Sequence, residues 1–175
     1  MKKFLVIALM FIGMITNAQE VGNFYNSNAR KYAFVSTGFD VRNAIVGSKP
    51  TDNKSALDVN VKVGALYNHL EIAMFYENFH RITFQAYGIN VNYVGKVAKN
   101  TDVVVGIEAG SIIRQSNSNF LMCGGNAEVR YQLGVDSKFS IGLQYNARLR
   151  TDIWYKDTPM PIVHSGLLNV YYRLR

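Results

Sequence analysis

Leu57-Asp58-Val59-Asn60-Val61-Lys62-Val63-Gly64-Ala65-Leu66-Tyr67 is the stretch whose reading decides the fold. Leu57, Val59, Val61, Val63, Ala65 and Tyr67 share one side of an extended chain, and Asp58, Asn60, Lys62 and Gly64 share the other, with Leu66 the exception. Alternate side chains of a strand point to opposite faces, so this is a two-faced strand and not a helix. Its length, at about 3.3 Å per residue and a tilt near 45°, gives a rise of roughly 25 Å, the height of the apolar band on a membrane-spanning barrel.

The same alternation recurs along the chain. A first strand runs from Lys31 to Arg42, with Ala33, Val35, Phe39 and Val41 on one row. Asn68-His69 makes a tight turn into a third strand, where Leu70, Ile72, Met74 and Tyr76 oppose Glu71, Ala73, Phe75 and Glu77. A fourth strand covers Ile82 to Val94, and Gly95 to Asp102 reads as the next connection. The fifth carries Val103, Val105, Ile107 and Ala109, the sixth runs to Leu133, and the seventh carries Phe139 to Leu149. The last holds Leu168, Val170, Tyr172 and Leu174.

Turn formers separate these segments: Asn43 to Ala56 contains Gly47-Ser48-Lys49-Pro50, and Asp152 to Ile162 contains Pro159 and Pro161. An even count of eight strands joined by hairpins closes most simply as an up-and-down antiparallel barrel. The two long loops fall at the end opposite the termini, and the short connections fall at the terminal end. That is the asymmetry of transmembrane β-barrels, short on the periplasmic side and long outside.

The start of the chain supplies an address. Lys2 and Lys3 precede an apolar run from Phe4 to Ile15, followed by Thr16-Asn17-Ala18, the pattern of a cleavable secretory signal. The expected organisation is a signal over residues 1–18, a short periplasmic lead over 19–29 and a barrel over 30–175. Without the two signal lysines, the formal net charge of +7 falls to +5. This is too mild and dispersed for a nucleic-acid partner. The one cysteine, Cys123, offers no internal disulfide and no metal cluster, and is expected to face outward as a small apolar residue.

Composition of the rows sets the faces. A lipid-facing Lys or Arg at mid-depth costs about 2–4 kcal/mol. Lys62, Glu108, Glu128, Arg130 and Arg148 are therefore expected to point inward as a charge-paired network that plugs the lumen. Glu108, Glu128, Lys62 and Arg130 are expected at its lower-middle level. Gly38, Gly64, Gly88, Gly106, Gly110 and Gly142 on the same rows make room for long neighbours such as Arg130, Arg148 and Tyr171. Aromatic residues end the apolar rows, as at a membrane interface: Tyr67, Tyr93, Tyr131, Phe139 and Tyr172 toward the termini; Phe39, Tyr76, Phe120 and Trp154 toward the other end.

The signal, eight alternating strands and a final Val170-Tyr171-Tyr172-Arg173-Leu174-Arg175 resemble small outer-membrane barrels of the OmpA/OmpX type. The resemblance is one of pattern over essentially the whole mature chain. It implies an outer-membrane location, outer-membrane lipid as surroundings and the barrel-assembly machinery as a folding partner. Such barrels usually end in an aromatic residue, whereas this chain ends Leu174-Arg175.

Candidate chemistry on the rim is thin. His80, His164, Ser116, Ser118, Asp152 and Asp157 come from different loops without a fixed motif, and His164 and Ser165 point to opposite faces of a strand. No spacing points to a metal or another cofactor. The expected role is that of a non-enzymatic envelope structural or surface-interaction protein. Its contacts with an extracellular or envelope protein would come from the loops Asn43–Ala56 and Asp152–Ile162, including Trp154 and Tyr155. The alternatives are an enzyme that modifies outer-leaflet lipid, and a narrow channel or part of a secretion or transfer apparatus.

The face assignment predicts that Val61→Arg blocks insertion into lipid, at a cost of about 2–4 kcal/mol, whereas Asn60→Ser does not. Assembly of the two variants into liposomes, followed by protease protection, checks this. Equal tolerance of both would reverse the faces.

Overall fold

The computed structural model describes residues 30–40, 58–79, 83–114, 119–134, 137–153 and 162–174. The signal segment, the lead, the loop Asn43–Ala56 and Trp154, Tyr155 and His80 lie outside the described residues. The strands are β1 Lys31–Asp40, β2 Asp58–Tyr67, β3 Leu70–Phe79, β4 Phe84–Ala98, β5 Thr101–Arg114, β6 Asn119–Gln132, β7 Phe139–Arg150 and β8 Ile162–Leu174. Each pairs antiparallel with its neighbour, and β8 pairs with β1, so the sheet closes into a barrel. Among the described residues the only helical element is a short 3₁₀ turn, Thr151–Ile153, after β7.

Local chemistry explains the hairpins. Between β2 and β3 the chain reverses over two residues, with Asn68 at φ 57°. Asparagine tolerates this left-handed geometry better than most residues, which is why the hairpin turns there. The β4–β5 hairpin differs from the expectation. The connection is not Gly95 to Asp102: β4 continues to Ala98 and β5 begins at Thr101, leaving only Lys99 and Asn100 between. Val97 and Ala98 keep the extended pattern going, and a register shift between Lys96 and Ala98 absorbs the irregularity.

The stagger of the strands sets the lumen. From Lys31 the register runs through Tyr67, Leu70, Tyr93, Val105, Ala127, Tyr145 and Gly166. Leu167, one residue past Gly166, pairs with Asp40, nine residues along β1 from Lys31, so the closed sheet has a stagger of ten residues. Eight strands with that stagger tilt by about 40° and enclose a space that side chains alone can fill.

Burial alternates accordingly. On β2, Asp58, Asn60, Lys62 and Leu66 are buried, while Val61, Val63 and Tyr67 are exposed. The outer surface carries an apolar band around the barrel, including Met74 at 69% exposure, Ile107 at 67% and Leu143 at 66%. Leu66 breaks the pattern by polarity but not by position: it points inward and packs with Val94 and Val104 at the terminal end.

One aromatic assignment is corrected. Phe120 does not belong to the outer belt; it points inward against the buried cluster of Phe75, Phe79, Phe84, Ala86, Ile112 and Met122. Alternation on β6 puts Phe120 on the same side as Asn126, Glu128 and Arg130, all of them buried. The expected belt residues Tyr67, Tyr93, Tyr131, Phe139 and Tyr172 are exposed near the termini, and Tyr76 and Tyr87 form an exposed cross-strand pair toward the other end.

The glycines do admit bulky neighbours, but other ones than expected. Gly64 lies under Phe34, Gly88 under Phe75 and Gly142 under Glu128. A Cβ on Gly88 would sit 2.8 Å from the Phe75 ring and 2.7 Å from Gly110 Cα. Gly166 faces outward with nothing within 4 Å of such a Cβ. Gly88→Ala should therefore destabilise the barrel by about 1–3 kcal/mol through overpacking, and Gly166→Ala should stay within about 0.5 kcal/mol of the parent. Urea unfolding in detergent micelles reads both, and equal effects would contradict the packing.

Candidate functional site

The inward row of each strand delivers its charged residues to one narrow column, so the candidate site is the lumen itself. Two arginines organise it. Arg130, on β6, donates from Nη1 to Glu71 Oε2 at 2.8 Å and from Nη2 to Glu71 Oε1 at 3.3 Å. It also reaches Glu128, two residues away on the same strand, at 3.4 Å from both Nε and Nη2. Its guanidinium lies 3.9 Å from the centre of the Tyr171 ring, and the Tyr171 hydroxyl donates to Glu128 Oε2 at 2.7 Å.

Arg148, on β7, binds the second pair of acids. Its Nη1 donates to Glu77 Oε2 at 2.6 Å, its Nε donates to Glu108 Oε1, and its Nη2 reaches Glu108 Oε2 at 3.3 Å. Both arginines and all four glutamates are buried. A planar guanidinium suits this task because its fixed fork of donors meets two carboxylates at once.

Amides complete the coordination. Asn92 donates to Glu71 at 3.0 Å and Asn126 donates to Asn92 Oδ1 at 3.0 Å, while Asn60 donates to Glu77 at 3.1 Å. Lys62 donates to Gln144 Oε1 at 2.5 Å, and Asn169 shares that acceptor at 2.7 Å. Buried carboxylates persist as ions only when their lone pairs are met in this way.

Lys62, Glu108, Glu128, Arg130 and Arg148 thus all lie in the lumen, but they do not form one layer. Glu108 does not join Arg130 at a lower-middle level: it pairs with Arg148, nearer the loop end, and the partner of Arg130 in its place is Glu71. Strand tilt is the reason, because residues adjacent in register stand at different heights along the axis. Glu71 and Glu77 were visible as the inward acids of the third strand, but alternation alone does not say which arginine each will meet. The apolar inner clusters were less legible still. Phe34, Ala73 and Tyr171 pack above the Leu66 layer, and the Phe75 cluster fills the loop end on the β3–β6 side.

At the loop-end rim, Arg114 and Arg150 converge on Asp152 at 2.9 Å and 2.6 Å. Burial by itself would raise the Asp152 carboxyl, but the hydrogen bonds and charge of Arg150, followed by those of Arg114, outweigh it and hold the group below its ordinary 3.8. The stabilisation is present above that value and is lost as pH falls through the lower folded pKa. On the outer surface, the Tyr145 hydroxyl and His164 Nδ1 lie 2.6 Å apart with their rings stacked. His164 is outward and Ser165 inward, so the two do not meet. Cys123 is exposed. Among the described residues, no group of three or more His, Cys, Asp or Glu has the geometry to hold a metal ion.

No family model matches the sequence, and no curated protein sequence does either. The solved structures contain matches. The outer membrane protein Ail of Yersinia pestis, determined in a phospholipid bilayer nanodisc, is 16% identical, with a TM-score of 0.51 over 83% of this chain and all 100% of Ail. A de novo designed transmembrane β-barrel is 14% identical, with a TM-score of 0.48 over 86% of this chain and 98% of its own. Another designed barrel, TMB2.3, is 15% identical, with a TM-score of 0.46 over 86% and 98%. The likeness to Ail gives the chain an eight-stranded barrel fold of the outer-membrane type.

Removing one partner of a buried ion pair costs about 3–5 kcal/mol, because the other charge stays behind. Arg130→Met should lose that much, and the double variant Arg130→Met/Glu71→Gln should lose at least about 1 kcal/mol less than the sum of the singles. A double-mutant cycle in urea measures the coupling, and strict additivity would show that the pair is not joined.

Proposed function

We propose that this protein is an integral outer-membrane β-barrel, exported with a cleavable signal, that acts as an envelope structural or surface-interaction protein through its extracellular loops. The observation that carries the reading is the apolar outer band. Val63, Ile72, Met74, Ile89, Ile107, Leu121 and Leu143 are exposed around the wall, whereas charged groups at mid-height are buried within. Monomeric soluble proteins rarely expose contiguous apolar patches beyond a few hundred Å². In lipid the same band costs nothing, and a closed sheet leaves no unpaired strand edge for lipid to meet.

The belts support the same placement. Lys31 lies 4.5 Å from the centre of the Tyr67 ring and Lys138 lies 5.8 Å from that of Tyr172, both at the terminal end. Tyrosine and lysine are at home where hydrocarbon gives way to headgroups. Outer-membrane lipid is then the surrounding solvent, the assembly machinery inserts the chain, and an extracellular or envelope protein is the partner of the loops. The lumen is plugged, and the chain is neither a pore nor an enzyme.

Two measurements test this together. The mature chain should stay monomeric only in detergent or lipid, and a detergent-free soluble monomer would refute the membrane placement. In planar bilayers it should show no steady conductance, and His164→Ala should leave outer-leaflet lipid profiles unchanged. Steady current sensitive to Arg130 substitution would make it a channel, and an altered lipid profile would make it an enzyme.

A further inference from the structure

Among the described residues, every Asp and Glu is buried except Asp152, which is half-buried between Arg114 and Arg150. The ionic side chains that stay exposed are of one sign and one kind: Lys31, Lys99 and Lys138. All of them stand at the terminal end, spread around the wall. Lys31 opens β1, Lys99 lies in the turn between β4 and β5, and Lys138 immediately precedes β7.

These lysines keep company with the exposed tyrosines of the terminal belt. The Lys31 ammonium lies 4.5 Å from the centre of the Tyr67 ring, and that of Lys138 lies 5.8 Å from the centre of Tyr172. Tyr131 stands across from Thr101, two residues beyond Lys99. Among the described residues none of these lysines is in an ion pair. Asp102, at the same end, is buried and takes two hydrogen bonds of 2.9 Å from Arg30.

A lysine at the foot of an apolar wall lays its stem along hydrocarbon and lifts its ammonium among the headgroups. A tyrosine ring beside it marks the same level, apolar below and polar above. The ammonium is a compact point charge with rotatable donors, suited to a single phosphate. Zwitterionic lipid brings its own cation to each phosphate. Anionic lipid leaves the phosphate charge unmatched, and that is the charge these lysines complement.

We propose that Lys31, Lys99 and Lys138, with the tyrosines of the terminal belt, form a girdle that binds anionic glycerophospholipid, of the phosphatidylglycerol class, in the leaflet at the terminal end. This rests on the membrane reading above and adds to it a lipid class and a side. The partner is a headgroup and not a soluble anion, because the lysines border the apolar band and reach the plane where headgroup phosphates lie. Spread over β1, the β4–β5 turn and the start of β7, each lysine takes a separate lipid. At the loop end the described cations Arg114 and Arg150 are turned to Asp152 instead.

The test uses the mature barrel reconstituted in phosphatidylcholine vesicles, with spin-labelled phosphatidylglycerol or spin-labelled phosphatidylcholine as the probe. The barrel should hold a larger motionally restricted fraction of the phosphatidylglycerol label, and added sodium chloride should shrink the excess. A lysine beside an anionic surface strengthens attachment by about fivefold, so the triple variant Lys31→Gln/Lys99→Gln/Lys138→Gln should lose severalfold in selectivity. The triple variant with Arg at the same positions should retain it. Equal restriction of both labels, selectivity unchanged in the Gln variant, or displacement of the label by inorganic phosphate beyond that by chloride of equal ionic strength would each overturn the proposal alone. Absence of restricted lipid with either label would refute the membrane reading, and the proposal with it.

Discussion

The structure depends on closure of a tilted sheet around a column too narrow for anything but side chains. Once eight strands close with the observed stagger, an inward charge can find its partner only among other inward residues. The two arginine-centred clusters are the answer to that constraint. Arg148 on β7 joins acids of β3 and β5, and Arg130 on β6 joins Glu71 of β3 with Glu128 of its own strand, so both tie staves of the barrel together across the lumen. The aromatic residues Phe34, Phe75 and Tyr171 pack against the same guanidiniums and exclude water from them. A lower local dielectric strengthens an ion pair that is fully hydrogen-bonded.

The same constraint makes the wall apolar. With the ionic groups taken inside, the outward row is left to valine, isoleucine, leucine and tyrosine. Such a surface is a liability in water and an asset in lipid. Interior and exterior are therefore one design: the buried charges Lys62, Glu71 and Arg130 each lie between two exposed apolar neighbours, because the backbone alternates them. Glycine serves the inner face by omission, since Gly64, Gly88 and Gly142 leave room for Phe34, Phe75 and Glu128 where the strands press close.

The two ends of the column diverge. The terminal end is closed by Leu66, Val94 and Val104, with charges above them that meet their opposites. The loop end holds the aromatic cluster around Phe75 on one side and the buried Asp40 and Asp58 of β1 and β2 on the other.

The period-2 pattern of residues 57–67 and its repeats contained the strands, most of the turns and the two faces, since alternation is a local property of extended backbone. Even the inward position of Phe120 was implicit in its parity with Glu128 and Arg130, although its aromatic character drew it to the belt. Other features were not local. Glu71 meets Arg130 across 59 positions and Glu77 meets Arg148 across 71, and only the stagger of the closed sheet decides those partners. The same holds for the inner clusters and for the heights at which the charges sit. Sequence by itself determined which side of the wall each residue occupies; tertiary structure decided what it meets there, because neighbours in the lumen are set by strand tilt and not by distance along the chain.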